Sequence, residues 1–233
     1  SSAAHLTGKK LISCEEITNT SMVFNASLER IKIVGDQSNL SGVTHSVLHG
    51  FNYSPPDAKF PGWVRYGTFF NEKNPWWPLF KNWAKYKARL STILQNSDMK
   101  ANVALYHPLH DIWMKYGMQR DPFPKEKVPD YAFNLWEAIH QNGSGCDYVS
   151  DLFLKKSVSK GNKLIIGDRK YDVLIILEVN YLEAETALAI KRFSDENGTI
   201  LFIDRLPKGA PGLTNNEKSS KIVQNTMEQI LKD

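Results

Sequence analysis

Four short segments of this sequence carry side chains able to do chemistry. Glu15 and Glu16 stand at the end of a strand candidate, Lys10 to Cys14. In barrels of alternating strands and helices the catalytic groups sit at the carboxyl ends of strands. A carboxylate placed there serves as a general base or a general acid; the plainer reading of the same pair is a charged entry to a loop. His49-Gly50-Phe51-Asn52-Tyr53 follows a second strand candidate, Val43 to Leu48. A histidine at a strand end, before a glycine that lets the backbone turn, faces either a ligand or the interior. The third segment runs from Gly67 to Trp77 and combines aromatic faces with Asn71, Glu72 and Asn74. Sugars want that mixture, because their C–H faces stack on Trp76 or Trp77 while their hydroxyls need amides and carboxylates as partners. The alternative is that these rings only pack a loop onto a barrel. Fourth, His107, His110 and Asp111 follow a strand candidate at Asn102 to Tyr106. In a parallel sheet this is the carboxyl edge, where ligands bind. The reading adopted for His107 is a substrate-facing role, with no metal, because a loop containing Pro108 does not fix ligand spacing as a helix would.

Other chemistries lose ground by absence. No Gly-x-Gly-x-x-Gly follows a strand, and Gly143-Ser144-Gly145 comes after a helix instead. A P-loop, a nucleophile elbow, a His-Glu-x-x-His pair and a calcium-loop pattern are all missing. Cys14 and Cys146 are the only cysteines, too far apart for a disulfide framework or a zinc site.

The elements that must position these groups differ along the chain. After residue 98, short apolar strands alternate with amphipathic helices. Asp172 to Leu177 is a continuous apolar run, as expected of a central parallel strand buried on both faces. Thr199 to Ile203 is another, and further strand candidates lie at 147–149 and 163–166. Helices are predicted over 130–141, around Leu182 to Phe193, and through Ile222 to Leu231. This pattern is that of an open parallel sheet with helices on both faces. Before residue 98 the periodic structure is sparse and aromatics are dense: 12 of the 38 residues from 49 to 86 are Phe, Trp or Tyr, against 11% in the whole chain. A helix is expected over Leu28 to Val34. A longer one begins at Pro78, with Leu79, Trp83, Tyr86, Leu90 and Leu94 as its buried stripe.

With 233 residues, 42% hydrophobic and 23% charged, the chain has the apolar mass of one large domain or two small ones. Its net charge is +4, and Lys81, Lys85, Lys87 and Arg89 read as a solvated helix face, so a nucleic-acid partner is not expected. The aromatic stretch has only Lys73 and Arg65 beside it, too little for a phosphate track. No run of about 18 apolar residues exists, so no membrane span is expected. Ser1 to Lys10 has no apolar region of a signal peptide. The chain starts at Ser1 rather than Met, as a mature form or an excised piece would.

Taken in order, several segments resemble bacterial glycoside hydrolases of the α-L-rhamnosidase type, glycoside hydrolase family 106. These are Ser13-Cys14-Glu15-Glu16, Lys32-Ile33-Val34-Gly35-Asp36, Gly42-Val43-Thr44 running to His49, Pro61-Gly62-Trp63, and Gly67-Thr68-Phe69-Phe70 through Trp76-Trp77. In the second half, Asn102 to Trp113, Tyr171 to Leu177 and Gly198 to Ile203 resemble the flavodoxin-like, glutamine-amidotransferase-like domain that follows the catalytic barrel in such enzymes. The resemblance covers residues 11 to about 212. It implies an α/β chain in which residues 1–98 form the C-terminal portion of a (β/α)8-type barrel and residues 99–233 form a flavodoxin-like open parallel sheet. It implies Glu15 as general base, with His49, Asn71, Glu72, Trp76 and Trp77 lining the sugar subsite. It implies inversion by two carboxylates, one upstream of this chain, because a whole barrel takes about 250 residues. The family's basic residue before Trp76-Trp77 is replaced by Glu72 and Lys73, and Glu16 stands where a small residue is usual. No cofactor is implied, and calcium is not assignable to any residue. An oligo- or polysaccharide is the implied partner, self-association through the incomplete barrel is expected, and a periplasmic or secreted source is suggested. The expected function is thus that of a glycoside hydrolase fragment with little activity alone. The rival is a non-catalytic carbohydrate-binding or assembly module that uses the aromatic loop 49–86. A third reading, an amidotransferase-like domain, is disfavoured because Cys146 occupies no nucleophile elbow.

Overall fold

The computed structural model describes residues 1–19, 22–63, 67–117 and 131–232. Arg65 and the side chain of Tyr131 lie outside the described residues. The chain divides into two compact units: Lys9–Met99 with Ser1 and Ala3–His5, and Lys100–Asp233 with Ser2 and Leu6–Gly8. A short helix, α1 (Ser2–Leu6), opens the chain.

In the first unit, β1 (Ser13–Glu16), α2 (Leu28–Leu40) and β2 (His45–Leu48) make a strand–helix–strand crossover, and α3 (Trp77–Gln95) follows. The two strands are parallel, with Glu15 opposite Val47 and Glu16 opposite Leu48. Successive side chains alternate between faces. Ser13, Glu15, His45 and Val47 are exposed, whereas Cys14, Ser46 and Leu48 are half-buried and Glu16 is buried. Helix α2 starts where the Ser27 hydroxyl accepts the Arg30 N–H at 3.2 Å, an N-cap that satisfies one of the first-turn donors. It runs six residues past Val34, further than its sequence pattern suggests. Helix α3 begins with Pro in its first turn. The unit's core is Ile31, Phe70 and Trp83, with Ile17, Leu28, Leu48, Trp76, Trp77 and Phe80 packed against them.

Two sequence expectations for α3 are corrected. Leu79 is 56% exposed and Phe80 takes its place in the core, because the stripe that meets Trp83 is set one residue on. Lys87, expected on the solvated face, is 5% exposed. Its ammonium donates to the Gly35 carbonyl (3.1 Å) and to Asn39 Oδ1 (2.9 Å) and lies 3.7 Å from a Glu16 carboxylate oxygen. A carboxylate on the covered face of β1 needs a counter-charge, and Lys87 supplies it.

The second unit is a mixed α/β structure with a four-stranded parallel sheet. Its strands β3 (Val103–Tyr106), β4 (Cys146–Val149), β8 (Val173–Leu177) and β9 (Thr199–Ile203) lie in the order β4-β3-β8-β9. Chain order therefore reverses direction between β3 and β8. Helices α4 (Leu109–Tyr116) and α5 (Tyr131–Gln141) separate β3 from β4. The link from β4 to β8 is a short helix α6 (Asp151–Lys155) and an antiparallel meander, β5 (Val158–Lys160), β6 (Lys163–Ile166) and β7 (Arg169–Tyr171). Helix α7 (Ala184–Asp195) joins β8 to β9, and α8 (Asn216–Ile230) ends the unit. Period-2 alternation gives the sheet two apolar faces. Ala104, Tyr106, Leu174 and Ile176 pack with Leu182, Ala187, Ile190 and Phe193 and with Val223 and Met227 of α8. Leu105, Ile175 and Leu177 pack with Leu135, Trp136 and Ile139 of α5. At the turn into β9, a Cβ on Gly198 would stand 2.3 Å from the Phe193 ring, so the close approach of chain and ring requires glycine.

Candidate active site

The open face of the β1–β2 pair ends in a polar group built from both strands. Glu15 is the third residue of β1, with its side chain 67% exposed. Thr18 follows in the loop beyond β1, and His49 is the residue after β2. The Thr18 hydroxyl lies 3.2 Å from Glu15 Oε1 and 3.1 Å from His49 Nδ1, and that ring nitrogen is 3.8 Å from the same carboxylate oxygen. A hydroxyl has one proton. When Thr18 donates it to Glu15, His49 must carry its proton on Nδ1 and donate to Thr18. The carboxylate as a whole stays open to solvent, on a side chain two-thirds exposed. The strand register places both residues at one end, since the His49 N–H donates to the Glu16 carbonyl at 2.9 Å.

The Gly67–Trp77 segment braces these strand ends. Thr68, 1% exposed, donates its hydroxyl to the Ile17 carbonyl at 2.5 Å, just beyond β1. Asn71 donates to the Asn52 carbonyl at 2.9 Å, in the loop after β2. Trp76 donates its indole N–H to the Ala26 carbonyl at 2.7 Å, one residue before the α2 cap. Gly67 leaves room for the Asn52 amide, since a Cβ there would come within 2.8 Å of Asn52 Nδ2 and push that side chain aside. Asn71 also accepts the Lys73 N–H at 3.1 Å. The Trp76 ring meets Phe70 edge-on and Phe80 at a tilt, and the Trp77 ring stacks on Phe80 at 5.1 Å. Asn71 and Trp76 are thus committed to internal partners, and Glu72 is exposed. Phe51, two residues beyond His49, lies edge-on to Trp77 at 6.3 Å and is 62% exposed; Tyr53, Phe60 and Trp63 are exposed as well.

His107 belongs to the second unit, where its ring meets Tyr148 edge-on. Its neighbours diverge: Asp111 accepts the N–H groups of Asn180 and Tyr181, and His110 turns to Asp151. The triplet of sequence neighbours therefore makes no common ligand set. The group able to hold a metal ion among the described residues is His110, Asp151 and Glu183. Burial, then the neighbouring Asp147, pushes the Cys146 thiol up to about 12, which holds it in the protonated form.

Sequence reasoning missed Thr18, Lys87, Asp151 and Glu183. A hydroxyl three residues past Glu15 was a readable signal for the first. Asp151 opens the segment after β4 and could have been sought there. Nothing local marks Lys87 or Glu183, whose partners come from distant parts of the chain.

The family model described as alpha-L-rhamnosidase, glycoside hydrolase family 106, matches residues 1–233. No curated protein matches the chain. Among solved structures, a rhamnosidase from Novosphingobium sp. PP1Y is similar in fold, with a TM-score of 0.61 at 16% identity, over 98% of this chain and 20% of that one. The chain spans about a fifth of that protein's length. It belongs to the alpha-L-rhamnosidase family.

Proposed function

We propose that this member of the alpha-L-rhamnosidase family supplies part of a glycoside hydrolase active site, with Glu15 as the general base. The observation that carries this is the meeting of Glu15, Thr18 and His49 at the carboxyl ends of two parallel strands. Thr18 orients one oxygen of Glu15, and the free oxygen takes a proton from the attacking water. In an inverting reaction the acid that protonates the leaving oxygen stands roughly 6.5–9.5 Å away across the sugar ring. We place that acid on strands outside this chain. The exposed face holding Ser13, Glu15, His45 and Val47 supports this placement, because two strands alone make a poor sheet and further strands would close the barrel. His49, the exposed Phe51 and the edge of Trp77 line the sugar, while Asn71 and Trp76 hold the loops from behind. Glu72 and His107 remain candidates for more distant contacts. The strand order β4-β3-β8-β9 of the second unit supports the flavodoxin-like reading of that domain.

The test is Glu15→Gln in the full-length protein. Loss of general base catalysis lowers kcat by about 10²–10⁴-fold, with rhamnoside affinity kept in calorimetry. Unchanged turnover would sink the assignment. The second reading, a binding module, draws on the exposed rings of Phe51, Tyr53, Phe60 and Trp63. It predicts saccharide binding by this chain alone, unaffected by Glu15→Gln.

A further inference from the structure

The carboxyl edge of the second unit's sheet gathers His110 from α4, Asp151 from the start of α6 and Glu183 from the residue before α7. These three connections leave β3, β4 and β8, the strands beside the point where chain order reverses. Such a point is where open parallel sheets bind ligands. His110 Nε2 lies 3.0 Å from Asp151 Oδ2 and 3.9 Å from Glu183 Oε1. One ligand atom from each residue lies within 4.8 Å of the others. The side chains are largely removed from solvent, with 14% of His110, 13% of Asp151 and 38% of Glu183 exposed.

In each carboxylate other side chains hold one oxygen, and the second turns toward His110. Asp151 Oδ1 accepts the Tyr106 hydroxyl (2.8 Å) and the Thr186 hydroxyl (2.7 Å), while Oδ2 faces His110. Glu183 Oε2 accepts the Lys155 ammonium at 2.6 Å, while Oε1 faces His110. This is the outer support that metal-ligating carboxylates have, fixing orientation and leaving one oxygen to bind.

The charge count points the same way. The carboxylates of Asp111, Asp151 and Glu183 act on His110, and the ammonium of Lys155 answers them. The carboxylates around His110 outnumber the one ammonium, an excess of negative charge that favours a bound cation. Size agrees as well. Tetrahedral ligands at about 2.1 Å from an ion stand roughly 3.4 Å apart; His110 stands 3.0 and 3.9 Å from the two carboxylate oxygens, and all three atoms lie within 4.8 Å of one another.

We propose that His110, Asp151 and Glu183 bind one divalent transition-metal cation, zinc or manganese, at the carboxyl edge of the second unit's sheet. One imidazole and two carboxylates suit these ions better than calcium or magnesium, which favour oxygen alone. The site is independent of the glycosidase reading. Its role is to clamp together the loops that leave β3, β4 and β8.

The experiment is calorimetric titration of the chelator-treated 233-residue chain with zinc chloride, manganese chloride and calcium chloride. One equivalent of zinc or manganese should bind at least tenfold more tightly than calcium and raise the melting temperature. Binding should fall at least tenfold in His110→Ala and in Glu183→Gln, and persist in His49→Ala, which removes the imidazole near Glu15. Cobalt, substituted for zinc, should give a visible absorption band that His110→Ala abolishes. If His110→Ala does not fold, Glu183→Gln alone decides the outcome, since it preserves shape and removes only a charge. The proposal is overturned if neither zinc nor manganese binds, if both variants bind like the parent, or if only His49→Ala loses binding. The first of these would mean that a proton on His110 alone accounts for its contacts.

Discussion

The two units secure their strand ends by opposite means. In the second, apolar side chains cover both faces of a four-stranded sheet, and the polar groups at its carboxyl edge bond to one another. In the first, one face of a two-stranded pair is covered and the other, with Glu15, is open. Its strand ends are fixed by Thr68, Asn71 and Trp76 bonding to backbone carbonyls, and β1 is tied to its helices by the buried Glu16–Lys87 pair. A face left open cannot be made rigid by apolar burial on both sides. Hydrogen bonds and a buried charge pair take over that task.

The largest effect should come from Lys87→Met, which leaves Glu16 buried without its counter-charge at a cost of about 3–5 kcal/mol. Amide exchange should show protection lost through the first unit and retained in β3 and β8. Adding Glu16→Leu should recover most of the loss, as apolar replacements of buried pairs do. In the second unit, Leu174→Ala should cost about 2–5 kcal/mol by leaving a cavity. Denaturant unfolding should then show the second unit's transition moving and the first unit's standing still. A common shift of both transitions would erase the contrast between the units.

Parts of this were legible in the sequence. The run after Asp172 announced a strand covered on both sides because Val173 to Leu177 are all apolar, and the helix around Ala189 to Phe193 followed from its spacing. The Glu15 and His49 neighbourhood was visible because residue types and strand ends coincide there. Other parts were not visible. Phe80 and Leu79 are adjacent and both apolar, so only the rings awaiting one of them decide which turns inward. Lys87 looks like its solvated neighbours until Glu16 is found beneath it. The β5–β7 meander consists of strands of three or four residues, too short for a period to register. The His110 cluster joins three connections that no local window contains.

A smaller effect tests the brace. Thr68→Val keeps the side chain's shape and leaves the Ile17 carbonyl without its donor, at a cost of about 1–3 kcal/mol. Saccharide affinity of the full-length protein should fall with it, because the loop carrying Thr18 begins at Ile17. Unaltered affinity alongside lowered stability would limit the brace to folding. Smallest of all, Leu79→Glu should change unfolding free energy by no more than about 0.5 kcal/mol, since the side chain is already in solvent; a larger loss would restore Leu79 to the core.

The acceptors in the brace have a consequence for how this scaffold can diversify. Thr68, Asn71 and Trp76 all reach main-chain oxygens, those of Ile17, Asn52 and Ala26. Any amino acid supplies such an oxygen. The identities of the loop residues are therefore uncoupled from the bonds that hold the loops in place. Descendants of this chain can exchange the exposed residues of these loops without rebuilding the frame that presents them.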